Sequence, residues 1–168
     1  MFAQIQKSAS LAMFTIICAA GASAQDTTVA PEILLTVSGD IDATPQEATF
    51  DLEALMALPV TTIETSTIWT EGKHSFTGVS LADLMEQVGV TEGTLLATAI
   101  NDYTVEIPVS DAVPGGPIVA YLLDGEEMPV RDKGPLWIVY PYDSAAAYRS
   151  EVIYSRSIWQ LDRIEVAR

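Results

Sequence analysis

Cysteine, histidine and positive charge are what this 168-residue chain has least of: one cysteine, one histidine, and eight lysines and arginines against 23 acidic residues. Cys18 lies in the apolar run "LAMFTIICAAGA", and no cysteine follows it. Beyond residue 24 that excludes disulfides, thiolate nucleophiles and cysteine-ligated metals or clusters. The single histidine, His74, has no second imidazole with which to build a common zinc site, and no G-x-S-x-G elbow points to a hydrolase triad. Glycines 115, 116, 125 and 134 have none of the spacings that cradle phosphate and read as turns. No apolar run reaches the ~20 residues that span a bilayer as a helix.

What is present at the start of the chain has a recognisable order. Lys7, the apolar run and then "ASA" before Gln25 follow the charged, hydrophobic and small-residue regions of a secretory signal peptide. The sequence therefore predicts cleavage after Ala24, export to the periplasm, a short leader over 25–32 and one domain over 33–168. Ile17 precedes Cys18 where a lipoprotein signal requires glycine or alanine, so lipid attachment is not expected. Loss of residues 1–24 leaves seven basic residues against 23 acidic ones, a net charge of −16. Such a surface repels phosphate backbones and anionic lipid, so neither nucleic-acid binding nor membrane insertion of the mature chain is expected.

Short elements of mixed type follow. "EILLTVSGDI" and "TTIETSTIW" have the β-branched character of strands, with "TEGKHS" as a polar turn after the second. "FDLEALMALP" predicts a brief helix capped by Asp51, stapled by Phe50 and Leu55 and stopped by Pro59. A second helix follows Ser80, with Asp83 completing a near capping box, Leu81, Leu84, Met85 and Val88 on one face, and Gly89 at its C-terminal cap. "LLATAI" and "YTVEI" predict strands joined at Asn101-Asp102, "IVAYLL" and "LWIVYP" predict buried strands, and "WQLDRIEVAR" returns to the sheet. Irregular mixing of strands with two helices predicts an α+β fold with mixed sheets rather than regular βαβ winding.

Candidate chemistry concentrates in two places. His74 titrates near neutral pH, but Gly72, Lys73 and Ser75 around it suggest an exposed turn. Trp137, Tyr140, Tyr142, Tyr148, Tyr154 and Trp159 put six large rings within 23 residues, more than one short strand needs for its core. Arg131, Lys133, Arg149 and Arg156 bracket the same region, so a small anionic ligand is one expectation and an aromatic core with a cationic rim is the other.

Several of these segments in register resemble one family. "FTGVSLADLM" is similar to the W/F-x-G-V-x-L-x-x-L segment of the sulfite-oxidase-type molybdopterin-binding domain. "ATAINDYTVEIP" resembles its A-x-D-G-Y strand pair, "IVAYLLDGEEMP" its strand followed by N/D-G-x-x-L, "KGPLWIVYP" its G-x-P-L-R-x-V-x-P stretch, and "IWQLDRIEV" its terminal K-W-x-x-x-I-x-V strand. The resemblance runs from about residue 33 to the C-terminus and implies that domain's fold, with molybdopterin as cofactor in catalytic members.

The departures fall on chemistry. In catalytic members a cysteine thiolate shortly before the W/F-x-G-V segment binds molybdenum, and here Thr65 or Ser66 stands there. A neutral hydroxyl is a poor substitute for a soft, charged thiolate. The family's arginine after P-L is Trp137, and its lysine before the terminal tryptophan is Ile158, so two phosphate-pairing cations are missing. "MFAQIQKSAS" also lacks the twin arginines with which cofactor-loaded relatives are usually exported. The resemblance therefore implies a periplasmic domain that has lost molybdenum catalysis and holds no cofactor, serving as a ligand-binding or accessory and sensory module with a small-molecule ligand or a periplasmic or membrane protein partner. Candidate ligand-binding residues are Trp69, His74, Asn101, Tyr103, Arg131, Tyr140, Tyr142 and Arg149. The alternative is an active molybdopterin oxidoreductase whose metal is held by the pterin alone or by Thr65 or Ser66.

Overall fold

A computed structural model of the chain describes residues 31–168, so the expected signal peptide and nearly all of the leader lie outside the described residues. The described part is one compact unit, Pro31–Arg168, with the expected α+β composition. Strands β1 (Leu35–Gly39), β2 (Glu47–Phe50), β5 (Thr94–Ala99), β6 (Thr104–Pro108) and β10 (Leu161–Ala167) form one sheet in the order β2-β1-β10-β5-β6. Only the β1–β10 pair in it is parallel. Strands β3 (Val60–Ser66), β4 (Lys73–Ser80) and β7 (Ile118–Leu123) form the second sheet, entirely antiparallel, with the short strands β8 (Glu126–Glu127) and β9 (Trp137–Val139) both paired to β7.

The strands follow their burial patterns. In β1 Leu35 and Val37 are buried and in β6 Val105 and Ile107, with polar residues between them, so each strand turns one face to the core. Strand β7 is buried continuously from Ile118 to Tyr121, because β4 and β9 flank it within the sheet and its faces are covered. Each such apolar side chain withdrawn from water contributes roughly 1.5–3 kcal/mol.

Two helix starts form as their sequences predict. The Asp51 carboxylate accepts from the Ala54 N–H at 2.7 Å and opens α1 (Leu52–Met56). Ser80 Oγ accepts from Asp83 N at 3.0 Å and donates to Asp83 Oδ2 at 2.6 Å, opening α2 (Leu81–Gln87). Leu81, Leu84 and Met85 are its buried face. Gly89, with φ +72°, ends the helix while the Val90 N–H reaches back to Met85 O.

Three elements differ from the sequence expectation. Lys73, His74 and Ser75 begin β4 instead of forming a turn, because β3 pairs with them as Ser66↔Lys73, Thr65↔His74 and Glu64↔Ser75. Strand β2 and helix α3 (Glu151–Arg156) carry no long periodic pattern; β2 has one buried residue and α3 none. Tertiary pairing with β1 and the Ser150 cap hold them instead.

Gly78, the glycine of "FTGVSL", sits where β4 shifts register against β7. A Cβ there would collide with the Val119 carbonyl oxygen and crowd Ala120 Cα at 2.6 Å, both backbone atoms of the adjacent strand. Gly78→Ala is therefore expected to lower the unfolding free energy by about 1–3 kcal/mol, the usual cost of forcing extra atoms into a packed interior. Denaturant unfolding of both proteins measures it, and an unchanged midpoint would contradict the close approach.

Candidate functional site

Residues 67–72 connect β3 to β4 and present Trp69. Thr67 Oγ1 accepts from both Trp69 N and Thr70 N at 3.0 Å, closing a local turn that the sequence pattern T-x-W-T allows. His74 secures the far end of the loop. Its Nε2 lies 2.9 Å from the Glu71 carbonyl oxygen and its Nδ1 lies 2.7 Å from the Asp124 carboxylate. Both partners only accept, so both ring nitrogens donate when the imidazole is protonated. The Asp124 hydrogen bond is the main cause of a pKa raised above 6.5. Asp124 is held low, first by the Ser75 N–H and then by His74. It occupies a left-handed turn with Gly125, at φ +52° and +86°, which aims its carboxylate back across β4.

Thr65 and Ser66, at the end of β3, face Asp143. Thr65 is fully buried, and its hydroxyl accepts from Asp143 N at 3.1 Å and donates to Ser66 O at 3.3 Å. Ser66 donates its N–H to Asp143 Oδ2 and its hydroxyl to Asp143 Oδ1, each at 2.8 Å. These bonds depress the Asp143 pKa, helped by the charges of Lys73, 3.9 Å away, and Arg149. Both hydroxyls are thus already committed to partners within the chain.

The rings gather around Trp69. It meets Trp159 at 5.5 Å and 70°, Tyr154 at 5.9 Å and 87°, Trp137 at 5.9 Å and 65°, and Tyr142 at 6.3 Å and 67°. Edge-to-face contacts of this kind are worth roughly 0.5–1.5 kcal/mol each beyond burial. A cleft of about 330 Å³ opens beside them, between the β5–β6 turn, α3 and the segment leading into β10. Its walls include Trp69, Asn101, Tyr103, Tyr154, Trp159 and Gln160. On the other side of Trp69 a second cleft of about 310 Å³ reaches Lys133, Glu126 and Glu127.

Of the sequence candidates, Trp69, Asn101 and Tyr103 come together in the first cleft. Neither Tyr140 nor Tyr142 lines it, although Tyr142 packs behind its wall against Trp69 and Tyr154. The Tyr140 hydroxyl donates to Asp111 Oδ2 at 2.8 Å, beside the Arg156 guanidinium on the same oxygen, and the Tyr142 hydroxyl donates to Ser157 Oγ at 2.6 Å. Burial raises both phenol pKa values, that of Tyr142 to about 12. His74 braces the loop, and Arg131 and Arg149 are exposed and line neither cleft. Lys133 spreads over tryptophan rings, with Nζ 4.9 Å from the Trp159 centroid and 5.5 Å from that of Trp137. The four cations of the 131–156 region therefore do not converge on one anion. Ser155, Ser157 and Gln160 line the first cleft unannounced, because the fold alone brings α3 and the residues after it to the β5–β6 turn. The aromatic count marks Tyr154 and Trp159 as members of a group but does not place them in the site.

An α+β domain of two sheets with an aromatic cleft between its elements is what this geometry defines. The chain belongs to the oxidoreductase molybdopterin binding domain family, whose model matches residues 25–150. A comparison with curated proteins gave no match. The family match ends before α3, Trp159 and β10, although β10 occupies the middle of the first sheet.

The residues present fit a protein-ligated molybdopterin poorly. Where the resemblance calls for a thiolate stand the two engaged hydroxyls of Thr65 and Ser66. Trp137, where the resemblance calls for an arginine, is fully buried with its Nε1 lacking a hydrogen-bond partner, and Ile158, where it calls for a lysine, is 3% exposed. Among the described residues no group of three or more His, Cys, Asp or Glu side chains could hold a metal. Among the same residues no helix is long and apolar enough to cross a membrane.

The His74 brace has a pH signature. With the folded-state pKa raised, its stabilisation is fully present below pH 6.5 and is lost as pH rises through the folded value. The destabilisation caused by His74→Ala, read by denaturant unfolding, is expected to be largest in acid and to shrink toward alkaline pH. NMR titration should place the His74 pKa above 6.5 and Asp124→Asn should lower it; a wild-type value at or below 6.5 would contradict the brace.

Proposed function

We propose that this domain is a periplasmic member of the molybdopterin-binding family that works without a protein-bound molybdenum, as a ligand-binding accessory or sensory module. The observation that carries this is the engagement of Thr65 and Ser66 with Asp143, where the family resemblance calls for a thiolate. A buried hydroxyl already bonded to a backbone N–H offers a metal neither charge nor a free lone pair of matching softness. Support for export comes from the signal-like order of residues 1–24. Support for ligand binding comes from the cleft at Trp69 and Trp159, whose mixture of rings with amide and hydroxyl groups is that of small-molecule sites. A sensory or accessory role further implies a periplasmic or membrane protein that reads the occupied state.

Family membership favours a second reading, an active molybdopterin oxidoreductase whose metal is held by the pterin alone or through the Ser66 oxygen. Against the Ser66 variant stands the Asp143 carboxylate 2.8 Å from its hydroxyl, since a neighbouring negative charge opposes forming an alkoxide. Metal and pterin analysis of protein purified from its native periplasm decides between the two. The proposal predicts no stoichiometric molybdenum and no releasable pterin; finding both in a one-to-one ratio with the chain would overturn it.

A further inference from the structure

We propose that the cleft at Trp69 and Trp159 is an aromatic box for a small quaternary ammonium cation. This rests on the ligand-binding reading above and specifies its ligand class. Four rings line the cleft: Trp69, Tyr103, Tyr154 and Trp159. Trp69 stands at 70° to Trp159 and at 87° to Tyr154, so the walls form near-perpendicular corners. A flat heterocycle satisfies parallel faces, whereas a compact tetrahedral cation fits between rings set at right angles and is attracted by each ring face that it meets.

The rest of the lining narrows the chemistry. The polar groups there are the amides of Asn101 and Gln160 and the hydroxyls of Ser155 and Ser157, and no lysine, arginine, aspartate or glutamate lines the cleft. An anion finds no counter-charge. A primary ammonium, strongly hydrated and carrying three N–H donors, finds no carboxylate to replace its water. A quaternary ammonium has no N–H to satisfy and gives up its weakly held water readily, while the Asn101 and Gln160 amides and the Ser155 hydroxyl suit a hydroxyl-bearing arm, the Ser157 hydroxyl being held by Tyr142 and Ile153. At about 330 Å³ the cleft has room for such an arm beside the cationic head.

One of the two cleft tryptophans, Trp159, already receives a cation from within the chain. Lys133 Nζ rests over the Trp159 and Trp137 rings and lines the neighbouring cleft, so a cation in the first cleft leans chiefly on Trp69, Tyr103 and Tyr154. A chain carrying 23 acidic residues against eight basic ones also concentrates cations around itself, which favours encounter without adding specificity.

The test is an NMR titration of the full mature chain with tetramethylammonium, choline and 3,3-dimethylbutan-1-ol, the uncharged carbon isostere of choline. Both cations are expected to shift the indole N–H resonances of Trp69 and Trp159, with the isostere binding about tenfold more weakly or worse. Tyr103→Ala, at a ring that is 59% exposed and so dispensable for folding, should weaken choline about two- to fivefold, the scale of one lost cation–π contact at an exposed ring. Equal affinity for choline and its isostere, choline binding unaltered in the Tyr103 variant, or no shift with either cation would overturn the cation inference while leaving the ligand-binding reading standing. Stoichiometric molybdopterin in the native protein would remove that reading itself.

Discussion

The two sheets are joined where the chain from β9 meets the chain entering β10. Trp137 and Trp159 form an antiparallel bridge, Ile138 N donates to Ile158 O at 2.8 Å, and Leu161 N donates to Leu136 O at 3.0 Å. Residues 158–161 then run directly into the central strand of the first sheet. This short ladder ties a strand of one sheet to the strand on which the other is built. The indoles at the bridge lie 6.3 Å apart at 86°, and Phe76 of β4 packs on Trp137 at 5.3 Å and 88°, so side chains reinforce the crossing that the backbone makes. Helix α1 also touches β2 of one sheet and β4 of the other, and both sheets share one apolar core, but without the crossing the cleft between the β5–β6 turn and Trp159 has no second wall.

Trp69 depends on that seam and on the loop that carries it. Thr67 shapes the turn, His74 fastens Glu71 to the Asp124 turn, and the tryptophan side chain then closes over Trp137, Trp159 and Tyr154. The histidine that attracts attention as a candidate base thus acts on the cleft through position, by holding the backbone that presents a ring. The carboxylate of Asp143 does comparable work at the other end of the loop through Ser66.

Local chemistry made much of the fold legible. Asp51, Ser80 and Gly89 name the helix boundaries because capping is settled within four residues, and Asp124-Gly125 names a turn for the same reason. Strand β4 was hidden because Lys73, His74 and Ser75 become strand only through pairing with β3, and α3 because a six-residue helix with no buried side chain has no period to show. The site divides the same way. Trp69, Asn101 and Tyr103 flank family-like segments and could be named, whereas Ser157 and Gln160 reach the cleft only through the chain crossing. Arg156 looked available for an anion, yet it pairs with Asp111, 45 residues away, a partner that no sequence spacing announces.

If the seam at Trp137 and Trp159 makes one cooperative unit of the two sheets, native-state hydrogen exchange is the most direct test. The amides of Ile138 and Leu161 should exchange with the same free energy as the core amides Val119 of the second sheet and Ala97 of the first, all limited by global unfolding. Earlier opening of Ile138 and Leu161, with the two sheets exchanging at separate free energies, would contradict the account.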